Sequence, residues 1–137
     1  MIIGIDPDLI KSGVAIITDT MTLHNLTFPQ LMQLLSDNKD QIKKVVIEAG
    51  WLNAKSNFHT RHGQSKSAGE RIAKNVGENH ATGKLIAEMA EYYGLNVVLV
   101  KPTKKKYTAE EFNRLTGWVG RSNQEQRDAG ALIFGMK

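Results

Sequence analysis

Four carboxylates fall where they can act together. Asp6 closes the run IIGID, residues 2–6, and Glu48 closes VVIE, residues 45–48. Both runs are short, apolar and β-branched, the pattern of a buried strand. Glu125 and Asp128 lie three apart in NQEQRDAGALIFG, residues 123–135, and so share one face of a helix. An ionised carboxylate at the end of a buried strand is costly unless it is paired, hydrogen-bonded or bound to metal. If the two strands are parallel neighbours, Asp6 and Glu48 stand side by side at their carboxyl ends, where open α/β sheets place ligands. Unneutralised, the group repels itself and its pKa values rise. A hard divalent cation relieves this, because Mg²⁺ takes carboxylate and water oxygens and shares its shell with substrate phosphates. Two such ions about 3.5–4 Å apart can activate a water and stabilise the leaving oxygen of a phosphodiester. The chain has no cysteine, which removes disulfides, thiolate zinc sites and a cysteine nucleophile.

Each acid also has a plainer reading. Asp6 in Asp6-Pro7-Asp8 suits a turn. Glu48 ends a strand before Ala-Gly. Glu125 closes a capping box opened by Ser122. Asp128, one turn into an otherwise apolar helix face, has no such account, and the plain readings of Asp6 and Glu48 would have to coincide with one for it. Glu125 keeps two roles, ligand or cap. Asp8 keeps two as well, turn residue or support for the metal-binding acids.

The elements that would hold these acids are legible in the spacing. Residues 2–5, 13–18 and 22–26 read as strands of an antiparallel meander. Thr27 caps a helix with Pro29 in its first turn and Leu31, Leu34 and Leu35 on one face, ending near Asn38. Residues 44–48 form the next strand. Residues 53–70 lack apolar periodicity and read as a mobile loop. Ile72, Val76, Ile86, Ala90 and Tyr93 restore the helical period over 71–93, with Gly94 as its C-cap. Residues 96–100 are a fifth strand. Thr108 with Glu111 opens a helix over 108–115, and a last helix spans 123–135. This βββ-α-β-α-β-α order predicts an α/β fold, a mixed sheet with helices on both faces.

With 137 residues, 41% of them hydrophobic, the chain reads as one domain, 1–137, able to bury a core without disulfides or a structural metal. No stretch reaches the roughly 20 apolar residues of a membrane span. No basic segment precedes the first strand, so a secretory signal is not expected and a cytoplasmic location is the default. The net charge of +4 favours a polyanionic partner. Lys101, Lys104, Lys105 and Lys106 crowd one segment, and Lys55, Arg61, Lys66, Arg71 and Lys74 punctuate another. Both groups read as solvated loops or as contacts to nucleic-acid phosphates. Phe58, within the polar stretch, is a candidate to stack on an unpaired base or wedge a junction. Trp51 reads as packing beneath that loop, and His59 and His62 as exposed loop residues. His80 reads as a packed or hydrogen-bonded helix residue. GENHATGKL, residues 77–85, has the wrong spacing for a phosphate loop and lies within a helix.

The stretches IIGIDPDLIKSGVAII, VVIEAG and NQEQRDAGALIFG, in this order and across nearly the whole chain, resemble the RuvC family of Holliday-junction resolvases, above all its short phage-type members. The resemblance implies a ribonuclease H-like fold, a five-stranded mixed sheet whose first three strands are antiparallel. It implies that Asp6, Glu48 and Asp128 take the metal-binding positions, with Glu125 where relatives carry a second acid or a histidine. It implies Mg²⁺ or Mn²⁺, a homodimer, and branched DNA, the four-way junction, as substrate. Lys104, Lys105 and Lys106 are nearest to the family's active-site cations, with Lys101 a fourth. Lys104 is taken as the catalytic one. The expected DNA contacts are Lys55, Phe58, Arg61, Lys66, Lys101, Lys104, Lys105 and Lys106. The chain departs from the family at Asp8, where a glycine usually follows Asp-Pro, and in the length and His/Lys content of residues 53–70. Two other functions fit the same acids: a nuclease on RNA–DNA hybrids, and a junction-binding protein without catalysis. An actin-like ATPase shares the strand-acid opening, but this chain is too short for its second lobe.

Overall fold

A computed structural model describes residues 1–53 and 66–137. Its strands are β1 (Ile2–Asp6), β2 (Ser12–Ile17), β3 (Met21–Leu26), β4 (Lys44–Glu48) and β5 (Val97–Val100). They form one sheet in the order β3-β2-β1-β4-β5. The first three are antiparallel, whereas β4 runs parallel to β1 and β5 parallel to β4. The helices are α1 (Phe28–Asp37), α2 (Lys66–Tyr92), α3 (Ala109–Thr116) and α4 (Gln124–Ile133), and a 3₁₀ turn, Gly50–Leu52, follows β4. This is the mixed α/β sheet that the element order predicts.

Strand alternation divides the core in two. Ile3, Ile5, Val14, Val45 and Ile47 face α1 and α2, meeting Leu31, Leu35, Ile86 and Ala90. Ile2, Ala15, Leu23 and Val46 face the other way, against Phe112 of α3 and Ala129 and Ile133 of α4. Both faces are covered, which is why β1 and β4 read as nearly continuous apolar runs. Burying each such large side chain contributes roughly 1.5–3 kcal/mol gross. The alternation also sets the acids. Asp6 shares the parity of Ile2, and Glu48 that of Val46, so both belong to the α4 side of the sheet. Among the described residues no helix is long and apolar enough to cross a membrane.

Local caps explain most boundaries. Thr27 and Gln30 form a reciprocal capping box on α1, and Thr108 and Glu111 form one on α3. Gly94, with φ +81°, takes the left-handed conformation expected of it just after α2. Two expectations need correcting. The box on α4 is Asn123 with Gln126, not Ser122 with Glu125. The Asn123 side chain accepts from the Gln126 N–H, and the Gln126 side chain accepts from the Asn123 N–H, both at 2.9 Å. Asn123 also donates to Asn25 Oδ1 at 2.7 Å, and Ser122 is instead engaged by Arg127. The second correction concerns the expected loop over 53–70. Its end, Lys66–Glu70, is the first turn of α2. That turn is largely solvated and carries no apolar face to read, and it extends a helix whose packing lies further along. Lys55, Phe58 and Arg61, with His59 and His62, lie outside the described residues.

Two glycines seat α4 on the sheet. A Cβ at Gly4 would overlap the carbonyl oxygen of Ala129, and one at Gly13 the carbonyl of Glu125. Both obstacles are backbone, which cannot swing aside as a side chain can. Gly13→Ala is therefore expected to destabilise the protein by about 3 kcal/mol, the upper part of the usual overpacking range. Gly69→Ala, with nothing within 4 Å of the new methyl, is expected to be neutral or slightly stabilising. Urea unfolding of both variants checks this, and equal midpoints would refute the close seating of α4.

Candidate active site

The parallel pairing of β1 and β4 aligns Ile5 with Ile47, so Asp6 and Glu48 emerge together one step later. Asp128 reaches them from α4, which Gly4 and Gly13 hold against β1 and β2. The three carboxylates each present an oxygen within 4.8 Å of the others, and the group could hold a metal ion. All its donors are oxygens, the set a hard divalent cation prefers.

Electrostatics show what the group lacks. Burial, reinforced by Glu48 and Asp128 and only partly offset by Lys106, pushes the Asp6 pKa up to about 8. Burial also raises Glu48, with Lys106 opposing and Asp128 adding to the rise. These are carboxylates short of positive charge. Glu125 is not one of the three clustered acids, although its field adds to the rise at Asp6.

The cation that does arrive is Lys106. Its Nζ donates to Asp128 Oδ2 at 2.8 Å. Burial works against its charge, but the hydrogen bond to Asp128 and the fields of Asp128, Glu48 and Asp6 outweigh that and raise its pKa. Lys101, Lys105 and Lys106, with Tyr107, line a cleft of about 420 Å³ whose wall includes Glu48 and Asp128. Lys105 lies over the Tyr107 ring, 5.0 Å from its centroid. Lys104, the lysine expected to be catalytic, lines neither this cleft nor the one beside Asp6. The lysine that meets the acids is Lys106, paired with Asp128 and in the field of Glu48 and Asp6. Lys66 lies on the first turn of α2, 4.0 Å from Glu70 and solvated.

Residues not singled out from the sequence hold this arrangement. Gln124 donates to the second oxygen of Asp128 at 2.8 Å. Arg127 donates to Gln124 Oε1, to the Ser122 carbonyl and hydroxyl, and to the Tyr107 carbonyl beside Lys106. One guanidinium thus ties the lysine segment to the helix that carries Asp128. Its proximity to Asp128 in sequence was the available signal. Asp8 is a turn residue: its Oδ2 accepts from the Ile10 and Lys11 N–H groups, closing the loop between β1 and β2. His80 and Asn79 of α2 line a second cleft with Asp6 and Glu48. Two glycines, Gly50 and Gly83, were the sequence hint that bulky groups lie close there.

Comparison with known proteins finds no matching family model and no matching curated protein sequence. Solved structures do match. RuvC of Thermus thermophilus in complex with a Holliday junction substrate aligns with 97% of this chain and 89% of its own, at 17% identity and a TM-score of 0.54. A Thermus thermophilus RuvC structure aligns with 97% of this chain and 90% of its own, at 18% identity and a TM-score of 0.50. At such identity the likeness speaks for architecture, and it agrees with the strand order and helix placement above: the chain has the RuvC-type, ribonuclease H-like fold.

Proposed function

We propose that this protein is a metal-dependent endonuclease that hydrolyses phosphodiesters of branched DNA, with the four-way junction as substrate. The observation that carries this reading is the cluster of Asp6, Glu48 and Asp128 at the carboxyl ends of β1 and β4, opening onto a lysine-lined cleft in a RuvC-type fold. Asp6, Glu48 and Asp128 would hold Mg²⁺ or Mn²⁺, as a pair of ions, with Glu125 beside Asp6 as a further acid. Bound there, such ions neutralise the carboxylates, activate water and stabilise the leaving oxygen. Lys106 aims its charge at the same place, where negative charge builds on the phosphate. Lys101, Lys104 and Lys105 are proposed phosphate contacts, and Lys55, Phe58, Arg61 and Lys66 complete the proposed DNA surface. Paired nicks on opposing strands require two such sites, hence a homodimer. Leu85 and Tyr92, exposed and seven residues apart on one side of α2, support that helix as the contact face.

The test compares a synthetic four-way junction, a matched linear duplex and an RNA–DNA hybrid, each with Mg²⁺ or Mn²⁺. Paired nicks in the junction, with the duplex left largely intact, are expected. Preferential cutting of the hybrid would favour a ribonuclease H activity. Tight junction binding without cutting under either metal would refute catalysis.

A further inference from the structure

The end of the sheet opposite the carboxylates carries a groove of about 540 Å³. Ile17 and Met21 flank the β2–β3 turn, Trp118 and Val119 stand in the α3–α4 connection, and Phe134 and Met136 follow α4. Together they give the groove an apolar lining. Ile17 pairs with Ile2 at the start of β1, so this end of the sheet lies four strand steps, about 13 Å, from Asp6. The walls are preformed. The Trp118 N–H donates to Thr116 Oγ1 at 3.1 Å, its indole Nε1–H donates to the Arg121 carbonyl at 3.2 Å, and its ring packs on the α4-side core. Gly117, with φ +76°, and Gly120, with φ +128°, turn the chain on either side of Trp118 and Val119. Val119 is 89% exposed at the tip of that turn, and Phe134 is 44% exposed. Isolated exposed side chains need no partner, but contiguous apolar surface with a polar rim marks an interaction site. The rim here is basic. Lys43 and Lys137 line a smaller cleft of about 320 Å³ that shares Ile17, Asp19 and Met136 with the groove. Arg121 stands beside the Trp118 indole. Among the described residues none of these three cations forms an ion pair, and Asp19 is the one acidic side chain lining either cleft.

An occupant must satisfy both the lining and the rim. A nucleic-acid backbone would set phosphates against apolar walls, and it would do so at the end of the sheet away from the clustered acids. A second copy of this chain would bring the same unpaired cations to the same rim, and like charges facing each other across an interface are unfavourable. A peptide segment with bulky apolar side chains between acidic ones meets both demands: the apolar groups fill the groove and the acids reach the rim. We propose that the Trp118–Phe134 groove docks such a segment, short, acidic and apolar at its centre, from another protein. The docking site does not depend on the nuclease reading. Under that reading it lets a partner hold the enzyme while the opposite end of the sheet works on DNA.

The chain's five methionines report on the groove directly. Met21 and Met136 line it, whereas Met32 and Met89 belong to the core on the other face of the sheet. Protein carrying ¹³C-labelled methionine methyls is titrated with short synthetic peptides that hold two adjacent residues drawn from Phe, Leu, Ile and Trp between runs of Asp and Glu. The peptides are expected to shift the Met21 and Met136 signals, to leave Met32 and Met89 in place, and to bind more weakly as salt is raised. Alanines in place of the apolar pair, or lysines in place of the acids, should weaken binding about tenfold or more, the loss of one good anchor. Val119→Asp should do the same, and its exposure keeps folding out of the comparison. Lys43→Glu should weaken binding about threefold and flatten its salt dependence. Peptides that leave Met21 and Met136 unmoved, or lysine peptides that bind as well as acidic ones, overturn the proposal. A single-stranded oligonucleotide that shifts the same two methyls as strongly overturns it in favour of a nucleic-acid surface. Shifts of both with protein concentration alone overturn it in favour of contact between copies. Acid-selective docking in a protein that cuts no junction would keep the groove assignment and sink the nuclease reading.

Discussion

Asp6→Asn is expected to slow metal-dependent junction cleavage by about a thousandfold or more, since groups that merely support metal ligands already cost 10–100-fold. It is also expected to leave the metal-free protein at least as stable as wild type. The two results belong together. Asp6 is partly buried beside Glu48 and Asp128, and its pKa stands near 8 against an ordinary value of 3.8. Between those values the folded protein holds a proton on Asp6 that the unfolded chain has released. Stability therefore falls as pH rises through that window, the reverse of a salt-bridged aspartate. Every tenfold change in proton affinity corresponds to about 1.4 kcal/mol at most, and solvent reaching the partly open cleft lowers the realised loss to a few kcal/mol. An asparagine has no charge to strand there, so its stability should vary less from pH 5 to pH 8.

Divalent metal should act in the opposite sense. A cation bound only by the folded state stabilises it by mass action, and it binds ionised carboxylates. Mg²⁺ or Mn²⁺ should therefore raise the melting temperature of wild type at pH 8, oppose the alkaline loss of stability, and do much less for Asp6→Asn. Calorimetric melts at pH 5.5, 7 and 8.5, with and without metal, measure all of this. A wild type whose melting temperature ignores metal at pH 8, or an Asp6→Asn protein that cleaves at the wild-type rate, would remove Asp6 from any metal site.

The acids were legible because strand ends are legible. A β-branched run that stops at a carboxylate places that carboxylate at a sheet end whatever the details, and two parallel runs place two. Asp128 followed from helical spacing. What sequence could not settle was direction at a finer grain. The Ser122–Glu125 pair and the Asn123–Gln126 pair both satisfy the capping-box pattern one residue apart. Only the anchoring of Asn123 to Asn25, and of Ser122 to Arg127, decides between them. Lys104, Lys105 and Lys106 are identical in type and adjacent. Which of them faces the acids depends on how Arg127 grips the Tyr107 carbonyl, a contact 20 residues away in sequence. His80 reads as a packed helix residue and is one, against Gly50 and Trp51, yet its packing places it on the wall of a cleft shared with Asp6. A residue's neighbours along a helix do not reveal what lies across a groove.

Lys106→Met is expected to lower the rate of junction cleavage at saturating metal about a hundredfold, the usual cost of removing one donor aimed at developing charge. Lys104→Met should leave the maximal rate at saturating DNA little changed, since Lys104 lines neither cleft, and as a phosphate contact should weaken junction binding instead. Stability should barely move: the Lys106 side chain is 49% exposed, and a partly solvated ion pair contributes at most about 1 kcal/mol. The metal dependence separates two roles for this lysine. Its ammonium occupies an oxygen of Asp128 and repels any cation that approaches the same acids. Removing it should therefore shift the metal midpoint to lower concentration. Its removal also lets the pKa values of Asp6 and Glu48 rise further, because Lys106 is what holds them down. The gain in metal affinity should thus be clear at pH 8.5 and shrink toward pH 6, where protons compete for the freed carboxylates. A slower maximal rate together with tighter metal binding marks a lysine that acts on the phosphate. Tighter metal binding with an unchanged maximal rate would reduce Lys106 to a counter-ion that keeps the acids apart until metal replaces it.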